Sequence, residues 1–461
     1  MSALAAQASE FVYKRRGVAE LYLLVLSLLV GIGAYASVGL GVNGELPLDL
    51  LTYGSWLAAL VVVAHVLIRI FAPYADPILL PIVSALNGLG LAMIYRIDLY
   101  RLSRDSQAHT YAPTQLVWMT LGVALFVGVL LILRDHRRLQ GLTYTAGLGA
   151  LILLIMPLLP GIGHSVNGAR IWIRVGSIGF QPGELAKVLL VIAFAGYLVQ
   201  HRDALALAGR RFLFIDLPRG RDLGPIMVMW LVSLGVLVFQ NDLGSSLMFF
   251  GIFLVMLYVA TERPGWLLVG GILFALGATM GVLFISHVQV RIDSWLDPFN
   301  YDRGYQLRQG LYGMGWGGMV GRGWGEGQPY RTPLANSDFI FPSLGEELGL
   351  TGLIGVLLLY LMLVERAYRI ALVSRDDLGK LLAVGFGAVF ALQCFVVIGG
   401  VTRLIPSTGL TTPFLSYGGS SLIANWIIIA LLARISDSAR RPAPEMQPVQ
   451  MDDDTQVVKL R

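Results

Sequence analysis

The hydrophobic positions of this chain fall in long unbroken blocks, with neither the amphipathic helical repeat nor the strand alternation of a soluble protein. Twelve stretches follow one another at 19–40, 50–72, 78–96, 114–133, 141–160, 184–200, 223–240, 243–260, 265–286, 341–364, 378–401 and 415–433. A block of about 20 apolar residues carries an α-helix across a hydrocarbon layer about 30 Å thick. In lipid every backbone N–H and C=O must be satisfied within its own segment, so the blocks predict helices. The expected fold is an all-α polytopic membrane protein of about twelve transmembrane helices with one large extramembrane loop, 287–340. The first block is long, has no small-residue cleavage site and is followed by others, so it reads as a span and not as a signal peptide.

Charge between the blocks sets the orientation. Lys14, Arg15 and Arg16 precede the first block; Arg134, Arg137 and Arg138 follow the fourth; Arg202, Arg210, Arg211, Arg219 and Arg221 follow the sixth. Arg366, Arg369, Arg375 and Lys380 follow the tenth, and Arg440 and Arg441 the last. With twelve spans all of these share one side, which the positive-inside rule makes the cytoplasm. Both termini are then expected there, residues 1–18 as a short cytoplasmic start and 437–461, with its Pro and Asp, as a disordered tail.

Composition agrees: of 461 residues 56% are hydrophobic and 14% charged, against about a quarter charged in soluble domains. The net charge of +5 lies mostly in short loops, and no basic patch with interleaved aromatics points to nucleic acid. A single cysteine, Cys394, rules out an intramolecular disulfide. The six histidines show no zinc-ligand spacing, and the Gly-dense stretch 310–327 lacks the GKS or GKT ending of a nucleotide loop.

The outward loops 161–183 and 287–340 hold the residues that can do chemistry. Lys187 lies where an apolar helix begins, at a depth that costs a cation about 2.5–3.5 kcal/mol; Glu184, three residues earlier on the same face, is its expected partner. The pair is either a structural tie between helices or a cation held for an anionic substrate. Upstream, Arg170 and Arg174 can bind phosphate oxygens bidentately, while Trp172 either stacks on a sugar or anchors the loop at the interface. Asp242 is either an N-cap or a site carboxylate. The large loop opens with Arg291, Asp293, Asp297, Asp302 and Arg303, carboxylates among arginines and aromatics, as a general base requires; the alternative is a self-neutralising cap. Asp338, Glu346 and Glu347 flank the tenth block and are either structural or part of the site. No metal ligand set is identifiable, although acidic residues here could share Mg²⁺ or Mn²⁺ with a pyrophosphate.

Several motifs, taken in order, make the chain resemble the SEDS family, the shape, elongation, division and sporulation proteins RodA, FtsW and SpoVE. They are Asn167-Gly168-Ala169-Arg170 with Trp172, Phe180 to Glu184 with Lys187, Gln240 to Gly244, and Asp297-Pro298 through Gly304-Tyr305-Gln306. Ser337 to Phe341 with Gly345-Glu346-Glu347, and Pro413 with Ser416 to Ser421, complete the series. The resemblance covers roughly residues 78–436, and Pro406–Ser421 is nearer to RodA. It departs at Gly183, Asn241 and Ser245 and in the spacing of the large loop.

The resemblance implies a ten-helix core preceded here by two additional helices at 19–72. It implies a glycosyltransferase of the bacterial cytoplasmic membrane that polymerises lipid II at the outer face and works with a class B penicillin-binding protein. The family's essential loop aspartate maps nearest to Asp302, with Asp297 second. Arg170, Trp172, Glu184, Lys187, Asp242, Arg291, Arg303, Tyr305, Gln306, Asp338, Glu346, Glu347, Ser416 and Ser420 become expected substrate contacts. An α-linked donor and a β-1,4 product require one inverting displacement. Two other readings are a lipid II flippase and a non-catalytic scaffold; no internal repeat of the transporter kind is evident.

Overall fold

The structure, a computed structural model, describes residues 16–442 except 167, 177, 203–209, 213–214, 218–219 and 300–301. Lys14, Arg15, Asn167, Arg219, Asn300, Tyr301 and the tail beyond Pro442 lie outside the described residues, as do the side chains of Arg210, Arg211 and Arg221.

Each of the twelve apolar blocks is a helix: α1 Gly17–Asn43, α2 Leu50–Phe71, α3 Leu79–Arg104, α4 Ala112–Ile132, α5 Thr143–Ile155, α6 Pro182–Gln200, α7 Gly220–Phe239, α8 Leu243–Thr261 and α9 Gly265–Phe284. The large loop holds α10 Ser286–Leu296 and α11 Tyr305–Gly317, and α12 Ile340–Val373, α13 Asp377–Val401 and α14 Gly419–Arg440 close the chain. Eleven of the spans are long and apolar enough to cross a bilayer, and the apolar part of α7, Gly224–Phe239, is shorter. The chain is a multi-pass membrane protein.

Alternation of the spans gives two faces. One carries the short basic connections; the other, called here the loop face, carries 159–181, 285–339 and 402–418. Two expectations are corrected. The loop 161–183 is a small antiparallel sheet, β1 Gly163–Val166, β2 Ala169–Val175 and β3 Ile178–Phe180, with His164 opposite Trp172 and Ile173 opposite Phe180. Alternating Ile171, Ile173 and Val175 supply the strand pattern, in a segment too short to form an apolar block. Residues 437–440, expected to open a disordered tail, continue α14, because Asp437 is buried and accepts the Tyr74 amide at 2.9 Å. Arg440 likewise donates to buried Asp76.

α3 lies at the centre, with 94% of its apolar window buried, while α9 at 6% is almost bare and presents its apolar surface to lipid. The additional pair, α1 and α2, packs on α3. A methyl added to Gly31 would come within 2.8 Å of the Gly88 Cα, so the α1 and α3 backbones touch through two glycines, as small residues allow between helices in lipid. Nearer the basic face the fully buried Glu20 accepts from Arg69 and lies 3.3 Å from His65 Nδ1. Nearer the loop face Tyr35 stacks on Tyr95 at 4.1 Å and donates to Asp49 at 3.2 Å.

α12 is broken at Gly349, whose φ of 68° suits glycine alone among ordinary residues. Residues 318–323 lie in the break. Leu350 donates to the Gly318 carbonyl (2.9 Å) and Thr351 to that of Met319 (3.1 Å), while Arg322 donates to Glu346 O (3.1 Å) and Gly323 to Glu347 O (2.9 Å). The loop thus satisfies the amides and carbonyls that the break exposes.

Gly31→Leu should destabilise the protein by about 1–3 kcal/mol through overpacking. Gly33→Leu, where an added Cβ meets nothing within 4 Å, should leave thermal unfolding in detergent unchanged. Equal melting of the two variants would refute the α1–α3 contact.

Candidate functional site

The site is built upward from one buried cation. Pro182 occupies the first turn of α6, where its missing N–H is no loss, and the turn places Glu184 and Lys187 on one face. Lys187 Nζ lies 2.6 Å from Glu184 Oε2 and donates to Gln393 Oε1 at 3.0 Å and Asn425 Oδ1 at 3.3 Å. Its three donors are therefore engaged with α6, α13 and α14. Gln393 in turn donates to the Thr411 carbonyl at 2.9 Å, and Ser420 accepts the Gln181 amide at 2.9 Å. Lys187 positions the segment above it instead of offering a free N–H.

That segment, 402–418, is the floor of the loop face. Ser416 accepts from the Thr412 amide at 2.9 Å and donates to Ser337 O at 2.6 Å. Arg291, from α10, donates to the carbonyls of Ser407 (3.1 Å) and Thr408 (2.7 Å). A methyl on Gly409 would lie 3.7 Å from Asp338 Oδ2 and 3.8 Å from Arg291 Nη2, so both groups border the same spot. Asp242 caps α8, accepting the Ser245 amide at 3.0 Å. Burial raises its carboxyl above the ordinary range, and nearby Glu184 adds to the rise while Arg291 opposes it. Burial likewise pushes Asp338 up to about 7, against the Ser337 hydroxyl and Arg291, and lowers Arg291 itself. The buried hydroxyls of Thr408, Thr411 and Thr412 have no partner among the described residues. Two carboxyls raised by burial, a guanidinium and unpaired hydroxyls along one segment are suited to an anionic, polyhydroxylated ligand.

The structure separates the expected residues. Glu184, Lys187, Asp242, Arg291, Asp338, Ser416 and Ser420 surround or support this floor. Glu346 and Glu347 are committed elsewhere: Glu346 accepts the Gln328 amide at 2.7 Å, and Glu347 pairs with Arg96 at 2.8 Å and accepts the Gly325 amide at 3.1 Å. They hold the loop, not an open position. Tyr305, Gln306 and Arg303 lie at the exposed start of α11, where Gln306 donates to Pro333 O at 3.1 Å.

Asp302 opens the short turn Asp302–Gly304, and its side chain lies outside the described residues. Asp297 is exposed at the end of α10. On the sheet, Arg170 donates to Leu159 O at 3.2 Å, and its amide to Gln240 O at 3.0 Å; Trp172 is half-buried against Gly179. Arg96, Gln393, Asn425 and the threonines Thr408, Thr411 and Thr412 are not among the residues expected from the sequence. Arg96, Gln393 and Asn425 are polar residues within apolar blocks, where the cost of burial in lipid is the signal that marks them.

A family model described as "Cell cycle protein" (FtsW, RodA, SpoVE) matches residues 77–441. A relative named peptidoglycan glycosyltransferase RodA, from Mycobacterium tuberculosis, is 47% identical over 427 residues, 92% of this chain and 91% of its own. A probable peptidoglycan glycosyltransferase FtsW from Geobacter metallireducens is 33% identical over 366 residues, 78% of this chain and 94% of its own. Among solved structures, one described as a peptidoglycan synthase complex that coordinates polymerization and crosslinking matches with a TM-score of 0.56 and 28% identity, over 85% of this chain and 98% of that one. A mutant of the rod shape determining protein RodA of Thermus thermophilus matches with a TM-score of 0.54 and 26% identity, over 78% and 97%.

Lys187→Met should destabilise the fold by about 3–5 kcal/mol by leaving Glu184 buried and unpaired, and adding Glu184→Gln should recover part of that loss. A double-mutant cycle in unfolding shows it; additive losses would contradict the pairing. Because the folded value of Asp338 lies above its ordinary 3.8, its contribution to stability is full at low pH and is lost as pH rises through about 7. Infrared spectra of aspartate-labelled protein should show a carboxylic-acid band with a component that vanishes near pH 7. The component that titrates near pH 7 should be missing in Asp338→Asn, leaving the contribution of the other buried aspartates, and should persist to higher pH in Arg291→Gln.

Proposed function

From the premise that this chain belongs to the family of cell-cycle proteins that includes FtsW, RodA and SpoVE, we propose that it is a peptidoglycan glycosyltransferase polymerising lipid II. The observation that carries the reading is the convergence of Asp242, Arg291 and Asp338 over the Lys187–Glu184 pair on a single face. The short basic loops lie on the opposite face, which by the positive-inside rule supports a loop face outside the cytoplasm, beside an exported lipid head group.

The reaction is one displacement at the anomeric carbon of an α-linked donor. Asp302, in the short turn before α11, takes the proton of the acceptor's 4-hydroxyl; Asp297, exposed a few residues away, is the second candidate. The acceptor oxygen bonds to C1 from the face opposite the leaving group, and the C1–O bond to phosphate breaks. The configuration inverts to β, and polyprenyl pyrophosphate departs with the electron pair. Arg291, Arg170 and Arg303 stabilise charge growing on that leaving group, and Lys187 acts through its field and by fixing the floor. Near-neutral Asp338 and the threonine hydroxyls supply donors to sugar and phosphate oxygens. No three His, Cys, Asp or Glu side chains among the described residues are grouped to hold an ion, so Mg²⁺ or Mn²⁺ would arrive with the pyrophosphate. The likeness to a synthase complex that couples polymerization and crosslinking supports a class B penicillin-binding protein as partner.

Purified chain reconstituted with its transpeptidase partner on lipid II should make glycan polymer. Asp302→Asn should lower the rate by about 10²–10⁴-fold, the worth of a general base, in protein that melts normally. Full activity in that variant with loss in Asp297→Asn would move the base to Asp297. Transfer of labelled lipid II across the bilayer without polymer would replace the enzyme by a flippase.

A further inference from the structure

Segment 402–418 opens on a residue whose backbone does not suit its side chain. α13 ends at Val401, and the chain turns through Thr402 into Arg403, whose φ of 64° is left-handed. The Leu404 amide donates to Gly399 O at 2.8 Å, the bond that closes a helix when the residue after its cap is left-handed. Glycine fills that position without strain, and a residue with a β-carbon does not. Strain of this kind persists only where surrounding contacts compensate it, and here the guanidinium makes them.

Arg403 reaches the end of α10. Its Nε donates to Trp295 O at 2.9 Å and its Nη2 to Leu296 O at 2.6 Å, while Trp295 Nε1 donates back to Arg403 O at 3.0 Å. Those carbonyls are among the last of α10, which the helix itself leaves without partners. One cation thus joins the C-termini of α10 and α13, the ends where a helix dipole favours positive charge. A turn earlier, Arg291 donates to the carbonyls of Ser407 and Thr408. Residues 291 and 295 share a helix face, so α10 is strapped along 403–408 at both of them.

This end of α10 carries both candidate bases. Asp297 follows Leu296 directly. Pro298 is buried, and a methyl on Gly304 would come within 2.5 Å of Pro298 O, so the turn Asp302–Gly304 packs on the backbone beside Asp297. Arg308 of α11 donates to Phe299 O at 2.8 Å and closes the loop from the other side. The position of Leu296 therefore sets that of both aspartates relative to the floor.

We propose that Arg403 is a positioning residue for the transfer reaction. With Trp295 it forms a two-way clamp that fixes the end of α10, and with it the catalytic aspartate, above segment 402–418. The inference rests on the polymerase reading; Arg403 touches no reacting atom and acts through Trp295 and Leu296.

Arg403→Gly separates this role from a structural one. Glycine relieves the left-handed strain, so the variant should melt in detergent at the wild-type temperature or above it. On lipid II, with the transpeptidase partner present, its kcat should fall about 10–100-fold, the scale of an ångström-sized misplacement, with KM unchanged. Arg403→Lys keeps the charge without the two-pronged bond and should be no faster; recovery of the rate by lysine would overturn the clamp. In the Asp302→Asn background, or Asp297→Asn if that aspartate is the base, Arg403→Gly should cost no further rate, and additive losses would overturn the proposal. Wild-type kcat in Arg403→Gly, or a loss of rate matched by a fall in melting temperature, would do the same. Hydrogen exchange reads the clamp without the reaction: peptides covering 291–299 should exchange faster in Arg403→Gly, and those covering 350–373 at the wild-type rate. Unchanged exchange at 291–299 in a chain whose wild type makes polymer overturns the clamp and leaves the polymerase reading intact. Faster exchange there, in a chain whose wild type makes no polymer, discards that reading and the positioning role with it, while the contact stands.

Discussion

A single ammonium group in a low-dielectric slab governs the architecture of the loop face. Lys187 cannot stay charged there without partners, and it finds them on three helices at once: Glu184 beside it on α6, Gln393 on α13 and Asn425 on α14. Each partner carries the constraint onward. Gln393 holds the Thr411 carbonyl and Asn425 donates to Ser421, so segment 402–418 is fixed from below. Ser416 then hands the constraint to Ser337, next to Asp338.

The second constraint is the backbone itself. A helix broken inside a membrane protein must have its freed amides and carbonyls answered, and residues 318–323 answer those of α12. Glu346 and Glu347, which resemble site acids in the sequence, are consumed in holding this insert, together with Arg96. The arrangement leaves Asp242, Arg291 and Asp338 as the ionisable groups of the floor. Burial raises both carboxyls there, and Asp338, pushed up to about 7, can donate as well as accept.

The additional helices extend the same logic. α1 is joined to α3 by a glycine-to-glycine crossing and to the insert by Gly41 beneath Trp324. A line of contacts therefore runs from the Glu20–Arg69 pair near the basic face to Trp324 at the loop face. On the basic face, Asp76 with Arg440, Asp376 with His136 and Asp377 with Arg202 close the ends of the helices.

Periodicity and charge alone determined the twelve helices, the two faces and the Glu184–Lys187 pairing, since bilayer thickness, the lack of water for the backbone and the three-residue spacing leave few alternatives. The ordered motifs identified the family for the same reason that they are readable: they are local. The sequence left open whether each acid served the site or the fold. That was decided by contacts between residues far apart in the chain, as when Glu347 meets Arg96 and Asp338 meets Arg291. Which carboxylates remain free depends on which cations and amides reach them first in three dimensions, and no one-dimensional pattern records that competition.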